Sequence, residues 1–139
     1  MMGRLFLCAS CLIASQTVIA CKCEKMSLSE QFAKAQIVLV GSVEHAFQPG
    51  KFGDVARLLV SRVIHGDASV GTLFAIDPLF ESDCAAPIMP NVDLLIFTSS
   101  DPKGAPIVSA CSVRAAGPIP TGEVLIQPSP EVIDFLRAH

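Results

Sequence analysis

The short stretch Ala20-Cys21-Lys22-Cys23 governs how the 139-residue chain is organised, because two closely spaced cysteines directly follow a small residue. Upstream, residues 1–20 contain one charge near the start, an apolar core and no acidic residue. This order is typical of a secretory signal peptide, in which a small residue precedes the cut. We therefore predict that residues 1–20 are a signal peptide and that the mature chain begins at Cys21.

Two other interpretations of this segment compete with simple cleavage. A transmembrane anchor needs about 20 apolar residues, whereas the apolar core here is shorter and is followed by Ser15, Gln16 and Thr17. The residues before Cys21 also fit, loosely, the processing site of a bacterial lipoprotein, in which the cysteine after the cut carries a lipid. The sequence thus predicts a secreted or periplasmic protein, with lipid anchoring of Cys21 in the cell envelope as the alternative.

Composition limits the classes of function. Removing residues 1–20 from the 139 leaves 119, which suits one domain over residues 21–139. The chain has a formal net charge of −3 and no basic run, so we expect no nucleic acid among its partners. His45, His65 and His139 fall in no catalytic motif. We therefore expect a monomer that is not an enzyme and that needs no cofactor.

Four cysteines remain after the predicted cut: Cys21, Cys23, Cys84 and Cys111. An even number in an exported chain of this size predicts two disulfides. A bond between Cys21 and Cys23 would close a strained ring. Two pairings stay open, and each ties the N-terminus to the second half of the domain. The competing interpretation is a metal site of four thiolates, although C-x-C is too tight for a standard zinc knuckle.

The hydropathy pattern further along predicts five strands, over residues 36–47, 55–64, 72–77, 92–98 and 107–113. Ser27 and Glu30 have the spacing of a capping box, which predicts a short N-terminal helix. Ser129 and Pro130 predict the start of a C-terminal helix. Residues 118–127 are expected to be irregular, with one short extended piece. Five short strands separated by turns indicate a mainly β fold, a small closed barrel with a helix near each end.

These residues together resemble a known family. Cys21-Lys22-Cys23 opens the predicted mature chain, an apolar strand containing Gly41 follows, and one cysteine lies before the fourth strand and one near the end of the fifth. The pattern resembles the netrin-like domain of the tissue inhibitors of metalloproteinases, in its bacterial single-domain form, over roughly residues 21–114. The resemblance implies an OB-like five-stranded barrel. It also implies that Cys21 pairs with Cys84 and Cys23 with Cys111.

The resemblance implies a function as well. In the animal inhibitors, the amino group and carbonyl of the residue that matches Cys21 chelate the zinc of a protease, and the next side chain, here Lys22, points into or near its specificity pocket. A zinc metalloendopeptidase is therefore the implied partner. Lys22 replaces a small hydroxyl residue, and Ala33 stands where the animal inhibitors carry a further cysteine. The competing hypothesis is a non-catalytic, non-inhibitory interaction module of the cell envelope.

Overall fold

The computed structural model of the chain describes residues 21, 23, 25–43, 55–79 and 84–139. The predicted signal peptide over residues 1–20 and the predicted specificity-pocket residue Lys22 lie outside these described residues. Within the described ranges, no helix combines the length and the hydropathy needed to cross a membrane.

Short strands dominate the described residues, with one α-helix near each end. The helices are α1 (Leu28–Lys34) and α2 (Pro130–Ala138). The strands are β1 (Ile37–Ser42), β2 (Ala56–His65), β3 (Leu73–Ile76), β4 (Leu94–Ser100), β5 (Pro106–Ile107), β6 (Val113–Ala115), β7 (Ile119–Thr121) and β8 (Val124–Ile126). A single 3-10 turn, Ala110–Ser112, separates β5 from β6.

The strand order is that of an OB-like barrel. The central strand β1 pairs with β2 on one side and with β4 on the other, both antiparallel. β3 extends the sheet beyond β2, and β5 extends it beyond β4. A parallel bridge between Asp77 and Ile107 then joins the end of β3 to β5 and nearly closes the barrel. The mainly β fold predicted from the sequence, a five-stranded barrel with two helices, is confirmed.

Both faces of β1 and β4 are buried, which explains why these strands are continuously apolar. Successive side chains of a strand point to opposite faces. One set fills the barrel interior, where the buried residues include Leu39, Leu58, Val60, Ile76, Leu94 and Ile96. The other set packs outside the barrel under the two helices and comprises Val38, Val40, Leu95 and Phe97, in contact with Leu28, Val132 and Phe135.

Local signals in the sequence fix the start of each helix. The hydroxyl of Ser27 accepts from the backbone N–H of Glu30, and the Glu30 carboxylate accepts from the backbone N–H of Ser27 at 2.7 Å. These hydrogen bonds, from the Ser27 backbone first and its hydroxyl second, lower the pKa of Glu30 below its usual value. At α2, the Ser129 hydroxyl accepts from the N–H of Val132, and Pro130 occupies the first turn. The predicted helix starts are therefore confirmed.

The predicted fifth strand is wrong in one respect, because it is interrupted. β5 ends at Ile107, the chain turns through Ala110–Ser112, and β6 begins at Val113 in a register with β4 that is shifted relative to β5. The interruption has a covalent and a hydrogen-bonded cause. Ser109 leaves the sheet to pair with Ala85, and the turn carries a disulfide-bonded cysteine.

Residues 118–127 also differ from the prediction, since they form two paired strands, β7 and β8, instead of one short extended piece. Gly122 makes the tight turn between them with a φ of +62°. The hydroxyl of Thr121 donates to the carbonyl of Val124 at 2.9 Å. All three residues of β8 are exposed. The hairpin therefore lacks the alternation of buried and exposed residues on which sequence-based strand prediction depends.

Gly66, directly after β2, should tolerate no side chain. Its φ is +90°, and an added Cβ would lie 2.5 Å from the carbonyl oxygen of Gln36 and 2.9 Å from the Cα of Ile37. Gly71 is a matched control, because its φ is +79° and no described atom lies within 4 Å of its added Cβ. We expect Gly71→Ala to lower the free energy of unfolding by about 1 kcal/mol through backbone strain alone. Gly66→Ala should cost about 3 kcal/mol, because the clash adds to that strain. Urea denaturation of both variants checks this, and equal losses would contradict it.

Candidate functional site

Two disulfides attach the N-terminal segment, here the chain from Cys21 to Cys23, to the barrel. Cys21 is bonded to Cys84, with a Cα–Cα separation of 5.0 Å, and Cys23 is bonded to Cys111, with a separation of 5.3 Å. Of the two pairings left open by the spacing of the cysteines, this is the one that the resemblance implies. The two bonded residues lie on either side of residue 22 in the sequence, so the chain is covalently attached both before and after it. Disulfides of this kind indicate an oxidising compartment outside the cytoplasm.

The two parts of the barrel to which Cys21 and Cys23 are bonded are also joined to each other. Ala85 and Ser109 form an antiparallel bridge, and the N–H of Ala110 donates to the carbonyl of Cys84 at 2.9 Å. The segment that carries Cys84 and the turn that carries Cys111 are therefore hydrogen-bonded to each other, and together they are called the disulfide support. Both disulfides attach the N-terminal segment to that support.

The sulfur atoms of the two disulfides lie close together. The Sγ atoms of Cys21 and Cys111 are 3.9 Å apart, although they belong to different disulfides. The Sγ atoms of Cys21, Cys23 and Cys111 all lie within 4.8 Å of one another. Cys23 is exposed, whereas Cys21 and Cys111 are half-buried. Because all four cysteines that the structure describes are in disulfides, this part of the chain offers no thiolate to a metal ion, and the four-thiolate site is not formed in this state.

A polar network braces the turn that carries Cys111. Nη1 of Arg114 donates to the carbonyl of Cys111 at 2.9 Å and to that of Val113 at 2.8 Å. The side-chain amide of Gln31 on α1, in the orientation that satisfies both of its polar atoms, donates to the same Cys111 carbonyl at 3.3 Å. Its oxygen accepts from Nη2 of Arg114 at 3.2 Å. The network therefore connects α1 to the disulfide-bonded turn.

Sequence reasoning missed Gln31 and Arg114. Neither residue belongs to a motif, and no spacing from a cysteine predicts that either of them contacts the turn. The capping box places Gln31 on the first helix, yet the contact depends on how that helix packs against β4. Only the tertiary structure brings the two side chains to the Cys111 carbonyl.

We expect Arg114→Met to weaken the site without unfolding the barrel. The substitution leaves the carbonyls of Cys111 and Val113 without the guanidinium donor, and loss of such a partner costs about 1–3 kcal/mol when the group is partly buried. Arg57→Met is a suitable control, because Arg57 is exposed on β2 and the change should cost under about 0.5 kcal/mol. Urea denaturation measures both changes. Equal losses would show that Arg114 does not brace the turn.

A shallow cleft lies beside the disulfide-bonded turn, between α1 and the end of β4. Its volume is about 180 Å³, and its lining includes Met26, Lys34, Phe97 and Cys111. Nζ of Lys34 lies 3.3 Å from the Sδ atom of Met26 at its rim. Its described lining residues include no group of convergent titratable side chains, and its volume is too small to enclose a drug-sized ligand.

The two histidines that the structure describes lie in the cluster under the two helices. His65 and His139 both pack against the ring of Phe32, with ring centroids 5.6 Å and 4.9 Å away, and His139 also stacks on Phe135 at 4.4 Å. These contacts lie in the cluster under the two helices. His45 lies outside the described residues.

Comparison of the chain with protein-family models, with curated proteins and with solved structures finds no match. The class of this protein is therefore given by its own geometry. It is a small OB-like barrel with two helices, to which two adjacent disulfides attach Cys21 and Cys23.

Proposed function

We propose that the chain is exported, cut before Cys21, and inhibits a zinc metalloendopeptidase through its new N-terminus. The α-amino nitrogen and the carbonyl oxygen of Cys21 would bind the protease zinc together. One observation carries this proposal. Cys21 and Cys23 are both bonded to the barrel, so the peptide between them is held at two points.

The chemistry of a free Cys21 fits this role. An α-amino group has a pKa of about 8, so a fraction of it is neutral near pH 7 and has a lone pair available. A catalytic zinc ion has three protein ligands and an open position, and it can expand to five ligands. The nitrogen and oxygen of one residue can therefore replace the water that the protease uses.

The disulfides would make this chelation less costly. A flexible N-terminus loses conformational entropy when it binds, and rigidifying it beforehand removes much of that cost. The Cys21–Cys84 bond spans 63 residues and the Cys23–Cys111 bond spans 88, so each connects the segment to a distant part of the barrel. The bracing of Cys111 by Arg114 supports the same arrangement.

Lys22 would restrict the choice of protease. In the proposed complex its side chain points towards the specificity pocket, and burying an ammonium in an apolar pocket without a partner is costly. We therefore propose that the target has a carboxylate in or beside that pocket.

Inhibition assays test the proposal directly. The purified oxidised protein is titrated against a panel of zinc endopeptidases with apolar and with acidic specificity pockets, and against a serine protease as a control. We expect competitive inhibition of at least one zinc enzyme with an acidic pocket and none of the serine protease. Absence of inhibition across the zinc enzymes would overturn the proposal.

A second candidate is a non-inhibitory interaction module of the cell envelope, and one observation favours it. The β8 side chains of Val124, Leu125 and Ile126 are 63%, 58% and 51% exposed and adjacent, which suits contact with another macromolecule. A lipid-anchored form of this module is a separate state, because the Cys21 sulfur cannot carry a lipid and also bond to Cys84. A protein that lacks inhibition but loses a cellular partner when Leu125 is changed to Ser would support this candidate.

A further inference from the structure

We infer that the four cysteines form a metal site in the reduced chain. When both disulfides are reduced, one Zn²⁺ ion is bound by the thiolates of Cys21, Cys23, Cys84 and Cys111. This inference concerns the reduced chain and goes beyond protease inhibition, which is proposed for the oxidised chain. The segment that begins at Cys21 would then be attached to the barrel at the same place by disulfides under oxidising conditions and by a metal ion under reducing conditions.

The sulfur positions are already close to those of a tetrathiolate site. Four sulfurs at about 2.3 Å from a zinc ion stand about 3.8 Å from one another in a tetrahedron. The Sγ atoms of Cys21 and Cys111 are 3.9 Å apart without being bonded. The Sγ of Cys23 lies within 4.8 Å of both, and that of Cys84 is bonded to Cys21.

Three of the four sulfurs, those of Cys21, Cys23 and Cys111, already lie within 4.8 Å of one another, and the Cys84 sulfur starts from its bond to Cys21. Within each disulfide the two sulfurs must move apart to the edge length of the tetrahedron, which changes of side-chain rotamer can provide. The tight C-x-C spacing argues against a zinc knuckle in the sequence alone. In the folded chain, however, the sulfurs of Cys21 and Cys23 already lie within 4.8 Å of each other.

The charge of the surroundings also suits such a site. A zinc ion with four thiolates carries a net charge of −2. The guanidinium of Arg114 is hydrogen-bonded to the carbonyl of Cys111 at 2.9 Å, and Lys34 lines the cleft that Cys111 also lines. Groups in this second layer around a metal site typically change its affinity by about 10–100-fold.

The chemistry balances with a dithiol as the reductant. Each protein disulfide accepts two electrons and two protons from one dithiol, which closes to a cyclic disulfide. The four resulting thiols release four protons as they bind one Zn²⁺ ion. In the reverse exchange, two cyclic disulfides take the four electrons of the thiolates and four protons from water and become dithiols, which reforms both protein disulfides and releases the ion.

Cobalt titration tests this inference. The full chain carrying Cys8→Ser and Cys11→Ser, so that only the four site cysteines remain, is kept soluble with a mild detergent and reduced with a phosphine. Co²⁺ reports the ligand set, because tetrahedral thiolate coordination gives strong visible and charge-transfer absorption. We expect one Co²⁺ per chain, displacement by Zn²⁺, no binding by the oxidised chain, and a dispersed amide proton spectrum for the reduced zinc form.

Variants sharpen the test. Adding Cys111→Ser should weaken metal binding by more than about 100-fold, since it removes a direct ligand and even indirect partners contribute up to that much. Ser112→Ala in the same turn is the control and should leave the affinity unchanged. Equal affinity for the two variants, one ion per two chains, an octahedral cobalt spectrum or an unfolded zinc-bound chain would each overturn the inference. None of these outcomes depends on a protease, so they are separate from a failure of the proposed inhibition.

Discussion

A chain that begins at Ala20 instead of Cys21 should inhibit a zinc endopeptidase about a thousandfold more weakly, a loss of about 4 kcal/mol in binding free energy. The added residue converts the α-amino group of Cys21 into a peptide nitrogen. The lone pair of that nitrogen is delocalised into the carbonyl, so it cannot bind zinc. The extension also places about 3.5 Å of chain where the protease zinc would have to approach.

Genetic extension is a cleaner test than acetylation, which would also modify lysines such as Lys25 and Lys34. The extended chain should keep both disulfides and the free energy of unfolding of the Cys21 form, which serves as the matched control. Inhibition constants measured for the two chains against the same protease decide the outcome. Similar constants would show that the α-amino group is not a zinc ligand.

Removal of the Cys23–Cys111 disulfide should give the largest loss of stability. We expect Cys23→Ala/Cys111→Ala to lower the free energy of unfolding by about 4 kcal/mol, because the bond closes a long loop in the unfolded chain. The sequence separation of the bonded residues is 88. Urea denaturation under non-reducing conditions, with Cys21–Cys84 intact, measures this loss.

The control for this variant lies in the same turn. Ser112→Ala removes only a weak hydroxyl contact with Ser109, 3.3 Å long, and should change the free energy of unfolding by under about 0.5 kcal/mol. The double variant should also inhibit more weakly, because one of the two attachments of the N-terminal segment is lost. Unchanged stability would mean that the bond does not restrain the chain.

The fold could be predicted from the sequence to the extent that local signals determine it. The capping box at Ser27 and Glu30 and the Ser129-Pro130 pair are complete within a few residues, so the starts of both helices follow from short-range physics. The apolar strands could also be predicted, because burial on both faces of β1 and β4 requires apolar runs. The interruption between β5 and β6 could not be predicted, because a bridge and a disulfide to distant segments cause it.

In the candidate site, too, local features could be predicted and contacts between distant residues could not. The sequence showed which cysteines are available, but their spacing allowed two long-range pairings within the chain. Contacts between segments that are distant in the sequence decide between the two. Ala85 and Ser109 bring the partners of Cys21 and Cys23 side by side, and no local pattern encodes that bridge. The contact between Gln31 and Arg114 is likewise a product of helix packing.

The central claim is that Cys21 is the N-terminal residue, with a free α-amino group and its sulfur bonded to Cys84. The intact mass of the protein recovered from the cells that make it tests this claim most directly. We predict the mass of residues 21–139 less four hydrogens, one pair for each disulfide. Peptide mapping should then place Cys21 with Cys84. A mass that includes residues before Cys21, or a diacylglycerol on Cys21, would contradict the account.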